Sequence, residues 1–322
     1  MQARRLDASD MPLYEEFVAE HGGIFNTASW KEHVHGDRLH YFGIFTDRGD
    51  LCAIFHLYIQ NRYGFTFVRN PPFMPHTGLV INNRAQNEAN YLSFNKEVLT
   101  AVVSLLNELS SSVVSVSLPP SVIDTQPFYW DKYKVIPNYT YQHDLSETEA
   151  DLERQFASNV RNSIKKATKD GVGIELCRDY TVVHQLVKIT FSRREKDLNS
   201  GTVEEILQKV ADSENSFAFA AYWEGKPVAV AFCIHDKTAC YYLFGGYDHT
   251  STHRGAGVLC LYNCLLHAKS LGLQVFDFEG SMMPEVESYF RSFGPQMVPY
   301  YTINKGRLPF ELVLKFVKRE RF

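Results

Sequence analysis

The sequence repeats an order of elements, and a repeated order restricts the fold more than any single motif does. A capping box at Ser146-Glu147-Thr148-Glu149 opens a helical stretch in which Val160, Ile164 and Ala167 recur at helical spacing and Gly171 serves as C-cap. Residues 172–177 read as a strand, followed by helices over 180–196 and 202–211. Three strands, 216–223, 227–235 and 238–247, are joined by turns short enough to require antiparallel hairpins. A helix over 258–270 implies a crossover; strand 274–278, a short helix over 284–290 and strand 297–304 complete the order β-α-α-β-β-β-α-β-α-β.

The first half gives the same order: strand 2–6, helices 11–20 and 28–35, strands 40–46, 51–60 and 64–69, helix 88–109, strand 113–118, the aromatic turn Phe128-Tyr129-Trp130 and strand 135–143. At an offset of 162, Phe128 falls on Phe290, Pro137 on Pro299, Tyr139 on Tyr301 and Thr140 on Thr302. The same offset superposes strand 113–118 on 275–280, so order and register agree. This predicts an α/β fold of two related domains with mixed sheets, residues 1–145 and 146–322, meeting near residues 144–149.

A length of 322 residues suits two domains, and 45% apolar with 22% charged residues excludes a disordered chain. Thirty-three Lys and Arg against 37 Asp and Glu give a net charge of −4, so no global positive field draws a polyanion. No apolar run reaches membrane-spanning length, and residues 1–25 lack a signal-peptide stretch; the expectation is a cytoplasmic protein without a membrane span. Six cysteines scattered without CxxC pairs are expected to be reduced.

Three stretches resemble tandem-domain acyltransferases of the GNAT superfamily, in the FemABX-like and BioF2-like acetyltransferase group, across nearly the whole chain. Asn159-Val160-Arg161-Asn162-Ser163-Ile164-Lys165-Lys166-Ala167 with Gly171 looks like the basic helix opening the second domain. Tyr241 to Gly246 with the turn Arg254-Gly255-Ala256-Gly257 is similar to the superfamily's fourth strand and donor loop. Phe276-Asp277-Phe278-Glu279-Gly280-Ser281 and Phe290-Arg291-Ser292-Phe293-Gly294 are similar to its fifth strand and closing helix. The resemblance implies an N-acyltransferase taking acetyl-CoA or another acyl-CoA as co-substrate, with a small-molecule or peptide amine received in the interdomain cleft.

Within that reading, the Arg254–Gly257 turn feeds a helix N-terminus, whose N–H groups and dipole suit a pyrophosphate; the same turn also fits a plain loop-to-helix junction. The superfamily pattern carries a small residue where Leu259 stands, which supports a non-catalytic binding protein of the same fold. Gly245 and Gly246 fit a bulge where the fourth and fifth strands splay, or an ordinary bend. Asp277 and Glu279 share one strand face, opposite Phe276 and Phe278, and with Ser281 are candidates for proton transfer; solvent exposure is the competing reading. Arg291 is a candidate cation for a phosphate or oxyanion, and Tyr242 and Tyr301 are candidate hydroxyl donors or packing aromatics.

Residues 82–87 carry no glycine turn before the first domain's long helix, so that domain is expected to bind no donor and to shape the acceptor site with Trp30, Phe73, His76 and Trp130. Cys260, Cys264 and His267 lie on one helix face but among leucines, so they read as core rather than as metal ligands, and no metal is expected. His33, His35 and His40 read as a solvated loop. The basic residues of 154–169 and of the tail from Lys315 to Arg321 are the positive concentrations. They support the alternative donor, aminoacyl-tRNA used by Fem-type ligases on a peptidoglycan precursor, which the overall acidity disfavours.

Overall fold

Hydrophobic alternation and turn chemistry build the same sheet twice. The computed structural model describes residues 1–192, 200–250 and 253–317. Its compact units are Met1–Asn138 with Pro299–Phe322, and Tyr139–Val298.

The first unit opens with β1 (Gln2–Arg5) and α1 (Met11–His21), which has Pro12 in its first turn and buries Tyr14 and Phe17. Strands β2 (Leu39–Phe45), β3 (Leu51–Arg62), β4 (Phe65–Arg69) and the short β5 (Val80–Ile81) follow. The β3–β4 turn places Tyr63 and Gly64 at φ of 53° and 77°, the paired left-handed residues of a tight hairpin. Helix α2 (Glu88–Glu108) starts at Asn87, whose side chain accepts from the Asn90 N–H at 2.8 Å. It buries Val98, Leu99, Val102 and Leu106 against the sheet core. Strand β6 (Val113–Ser117), α3 (Gln126–Trp130) and β7 (Lys134–Asp144) end the first repeat.

The second repeat holds α4 (Glu149–Gln155), α5 (Ser158–Asp170), β8 (Gly173–Cys177), α6 (Tyr180–Ser192), α7 (Ser200–Glu205), β9 (Ser216–Trp223), β10 (Lys226–His235) and β11 (Ala239–Tyr247). It closes with α8 (Ala256–Ser270), β12 (Val275–Asp277), α9 (Pro284–Arg291) and β13 (Gln296–Gly306), and α10 (Leu308–Val317) follows. The expected helix over 146–171 is two helices, because Phe156 and Ala157 turn extended and Phe156 drops into the core beside Phe293, 5.6 Å between rings. The expected end of α6 at Lys196 and the tail beyond Val317 lie outside the described residues.

The sheet of the first unit runs β1-β2-β3-β4-β6-β13, with β4 and β6 parallel. That of the second unit runs β8-β9-β10-β11-β12-β7, with β11 and β12 parallel. The two orders are equivalent strand for strand, but each sheet ends on the other repeat's last strand. The second half of β13 pairs with β6 (Thr302 opposite Ser117), and the second half of β7 pairs with β12 (Gln142 opposite Asp277). The compact units therefore divide inside β7 and β13, whereas the repeat read from the sequence divides between residues 145 and 146. Lys134 to Gln296 and Asp144 to Gly306 are each 162 apart, and at that offset Lys132 (φ 63°) and Gly294 (φ 75°) share a left-handed backbone.

Candidate functional site

In the second unit, β11 and β12 part company. They pair only where Ala239–Tyr241 faces Val275–Asp277, while β11 continues against β10 to Tyr247. No strand continues the pairing on the β12 side beyond Tyr241 among the described residues. The β10–β11 register shifts between Phe232 and Cys233, which oppose Phe244 and Tyr242, so Leu243 is the extra residue of the bulge. The bulge expected at Gly245-Gly246 is thus two residues earlier; these glycines pair in register with Ala231 and Val230. They are small for packing reasons. A Cβ on Gly246 would stand 2.6 Å from the Leu186 and Val187 backbone of α6, and one on Gly245 would fall on the Tyr242 hydroxyl.

The turn into α8 uses its glycines differently. A Cβ on Gly255 would stand 2.6 Å from the Ser163 carbonyl, so this residue lets α5 approach closely. At Gly257, among the described residues, no atom beyond its chain neighbours and its own helix backbone lies within 4 Å of that position. Of the first-turn donors, the Ala256 N–H is taken by the His253 carbonyl at 3.0 Å and that of Leu259 by Gly255 at 2.9 Å. The N–H groups of Gly257 and Val258 lie between them, too early in the helix for an intrahelical acceptor. Arg254 is exposed and Ala256 fully buried. Leu259, the departure from the family pattern, is buried in the core and leaves the turn itself unobstructed.

His253, which the sequence reading passed over, clasps this turn. Its Nδ1 accepts the Gly255 N–H at 3.2 Å, and its Nε2 donates to Asp170 Oδ2 at 2.9 Å. Lys166 of the basic helix donates to the same oxygen at 2.5 Å, and Lys166 and His253 together hold the Asp170 carboxyl below its usual range.

Asp277 and Glu279 do come together, Asp277 buried and Glu279 half-buried with its Oε1 atom inside. Asp277 is 5% exposed, its Oδ1 accepting from Thr140 Oγ1 and from the Glu279 N–H at 2.7 Å, its Oδ2 from Gln142 Nε2 at 2.7 Å. Burial raises its pKa, with those three donors pulling the other way. Past the strand end the chain makes two left-handed residues, Glu279 at φ 61° and Gly280 at φ 55°. A non-glycine residue there carries backbone strain of about 1 kcal/mol. Glu279 Oε1 is buried with no hydrogen-bond partner among the described residues, and burial, then the neighbouring Asp277 charge, push its carboxyl well above the usual range.

A Cβ on Gly280 would stand 2.7 Å from Thr140 Cα and closer still to the Tyr139 carbonyl. Gly280→Ala is therefore expected to lower the unfolding free energy by about 2 kcal/mol or more, measured by denaturant titration, because strand backbone and a left-handed φ both oppose the methyl.

The other predicted residues lie apart from this pair. Tyr242 is on the opposite face with the core, its ring 6.0 Å from Phe290. Tyr241, the register partner of Asp277, shares the acidic face; burial and the carboxylates of Asp236, Asp277 and Glu279 raise its phenol. The Arg291 guanidinium is taken by Glu287 at 2.7 Å, and Glu287 also accepts from the Tyr141 hydroxyl at 2.8 Å. Ser281 Oγ accepts the Met283 N–H at 3.1 Å. Tyr301 belongs to the first unit, where its carbonyl accepts from Leu118.

Trp30, expected on an acceptor wall, is fully buried, with Phe25 between it and His76 at ring distances of 5.7 and 6.0 Å. Phe73 is part-buried at φ 60°, and Trp130 is 60% exposed beside Lys96. The solvated-loop reading of the histidines fails for two of them: His35 stacks on Trp30, and burial pushes His35 and His40 down to about 4. Cys260 and Cys264 are buried thiols donating to the Ala229 and Ala231 carbonyls, and His267 packs on Phe217.

Residues 154–291 match the model of the family described as acetyltransferase (GNAT) domain. No curated protein matches the sequence closely enough to count as a relative. Among solved structures, the chain is similar to FemX, with 12% identity, 98% of this chain and 100% of that chain covered, and a TM-score of 0.69. It is also similar to L-PGS from Bacillus licheniformis (13% identity, 99% and 98% covered, TM-score 0.57). A tandem GNAT protein from the clavulanic acid biosynthesis pathway matches with 9% identity, 94% and 97% coverage and a TM-score of 0.51. At these identities the likeness is one of fold.

Proposed function

We propose, on the premise that residues 154–291 match the acetyltransferase (GNAT) domain model, that the protein is an N-acyltransferase that moves an acyl group, acetyl in the simplest case, from an acyl-CoA onto an amine. The observation that carries the reading is the parting of β11 from β12 beside the open first turn of α8. The exposed edge of β11 offers backbone groups to the amides of an extended pantetheine arm. The Gly257 and Val258 N–H groups, with the positive end of the helix, suit its pyrophosphate.

Glu279 is the proton acceptor in this reading. Its carboxyl is held above the ordinary glutamate range, which favours it as the acceptor of a proton from an attacking amine, and among the described residues its Oε1 carries no competing bond. Asp277 acts as a positioning residue: both of its oxygens are engaged, one by the Glu279 N–H, so it fixes the left-handed turn that aims the base. The new N–C bond forms as the C–S bond breaks; the amine proton passes to Glu279, and the departing thiolate takes one from Tyr241, in place of Tyr242.

A second reading, aminoacyl transfer from tRNA as in the Fem ligases, draws support from the fold likeness to FemX over the full chain. Titration calorimetry with acetyl-CoA and desulfo-CoA separates the two. Saturable binding of both is the expected result; no binding of either would sink the coenzyme A reading and direct the work to aminoacyl-tRNA.

A further inference from the structure

The last described helix turns its apolar side chains outward. On α10, Leu308 is 73% exposed, Leu312 55%, Val313 60% and Phe316 91%. Leu308, Leu312 and Phe316 recur every four residues, which places them in one stripe along the helix. The helix is held down by Phe310, whose ring packs 4.7 Å from Phe65 and 6.2 Å from Phe67. That contact brings α10 beside the β3–β4 hairpin tip, where Tyr63 is 83% exposed under the Arg62 guanidinium. A contiguous apolar stripe of this kind marks a docking surface.

Charge identifies the occupant. On one flank of α10 lies a groove of about 580 Å³ whose walls carry Lys132, Lys134, Lys305, Lys315, Tyr129 and Trp130, with Glu311 as its one carboxylate. Lys315 pairs with Glu311 and Lys305 with Asp131, each pair closing on one acid, while Lys132 is exposed beside them. The chain as a whole is acidic at −4, so this is a local reversal of sign. A second copy of the chain is a poor partner, because a two-fold contact would set this basic rim against itself. Exposed Leu and Phe on a helix, flanked by Lys, Arg, Tyr and Trp, match the interfacial region of an anionic bilayer. Among the described residues no helix is long and apolar enough to cross a membrane, so the contact would lie in the interface plane.

We propose that α10 docks the protein on an anionic phospholipid surface, its Leu308–Leu312–Phe316 stripe entering the headgroup boundary while the lysine groove holds a lipid phosphate. The proposal is independent of the acyl donor. It is tested by co-sedimentation of the full chain with phosphatidylcholine vesicles and with vesicles containing 30% phosphatidylglycerol. Binding to the anionic vesicles is expected to be the stronger and to weaken with salt. Phe316→Asp should reduce it by about tenfold or more, since a buried Phe would be lost from the interface. Lys132→Glu, off the helix, should reduce it by about fivefold or more. Thermal melting establishes that both variants fold. Equal binding to the two vesicle types, or unchanged binding by either folded variant, would overturn the proposal. So would a concentration-dependent dimer without vesicles that Phe316→Asp dissociates, since the stripe would then be covered by a second copy.

Discussion

Gly257→Glu is expected to abolish acetyl-CoA binding while leaving the protein at least as stable as wild type. Stability and binding should move in opposite directions because Gly257 stands in open space at the first turn of α8, with a helical rather than left-handed backbone. Replacing a helical glycine gains about 0.5–1 kcal/mol of backbone entropy, and a carboxylate at a helix N-terminus adds about 0.3–1 kcal/mol. The same carboxylate would occupy the position proposed for the pyrophosphate and repel it, with a loss of about 100-fold or more in affinity. Thermal melts and calorimetry on one preparation read both effects. Gly255→Ala provides the contrast: its methyl meets the Ser163 carbonyl, so it should destabilise the protein by displacing α5. Retained acetyl-CoA affinity in a folded Gly257→Glu protein would remove the anion from this turn.

That contrast marks where the sequence stops being informative. Gly255 and Gly257 look alike in a glycine-rich turn, but one is small because another helix is near and the other where nothing is. Much local chemistry is legible: the Glu224-Gly225 hairpin turn takes φ of 51° and 77°, and Gly171 caps α5 at 82°, as turn and cap preferences require, whereas the capping box read at Ser146–Glu149 is replaced by Thr148, which caps α4 by accepting the Asp151 N–H. The strands of the second meander fall within a residue of the read positions. What depends on register was not legible. A phenol at 241 and one at 242 are equivalent in composition; only the pairing of Tyr241 with Asp277 decides which shares the acidic face. The exchange of last strands escaped for a related reason, since β7 and β13 carry nearly interchangeable patterns and either would complete either sheet. Period 2 continued along strand 274–278 singles out Glu279, but β12 ends at Asp277, and the left-handed backbone of Glu279 and its Oε1 without a partner among the described residues belong to the turn beyond it, where Gly280 lies against β7.

Those two properties make Glu279→Gln the most informative substitution for the chemistry. If Glu279 accepts the amine proton, the amide variant should keep its affinity for acetyl-CoA and lose about 10²–10⁴ in kcat. Wild-type kcat should rise with pH through the raised pKa of this carboxyl, above the ordinary glutamate range, and the variant should lack that limb. Stability supplies a second readout that needs no substrate. The folded state holds the Glu279 proton more tightly than the unfolded chain, whose glutamates titrate near ~4.3. Between that value and the folded pKa, the native state therefore binds more protons, and wild-type stability falls as pH rises. Glutamine has no proton to lose, so the stability difference should open in the variant's favour with increasing pH and level off above the folded pKa. Asp277 is also raised by burial, and because its charge acts on Glu279 the two carboxyls titrate as a coupled pair, so the difference between the proteins reports the ionisation of Glu279 together with its coupling to Asp277. A flat difference across pH would mean that Glu279 ionises as freely as an exposed carboxylate; a pH-dependent difference with unchanged kcat would keep the buried acid and remove it from the reaction.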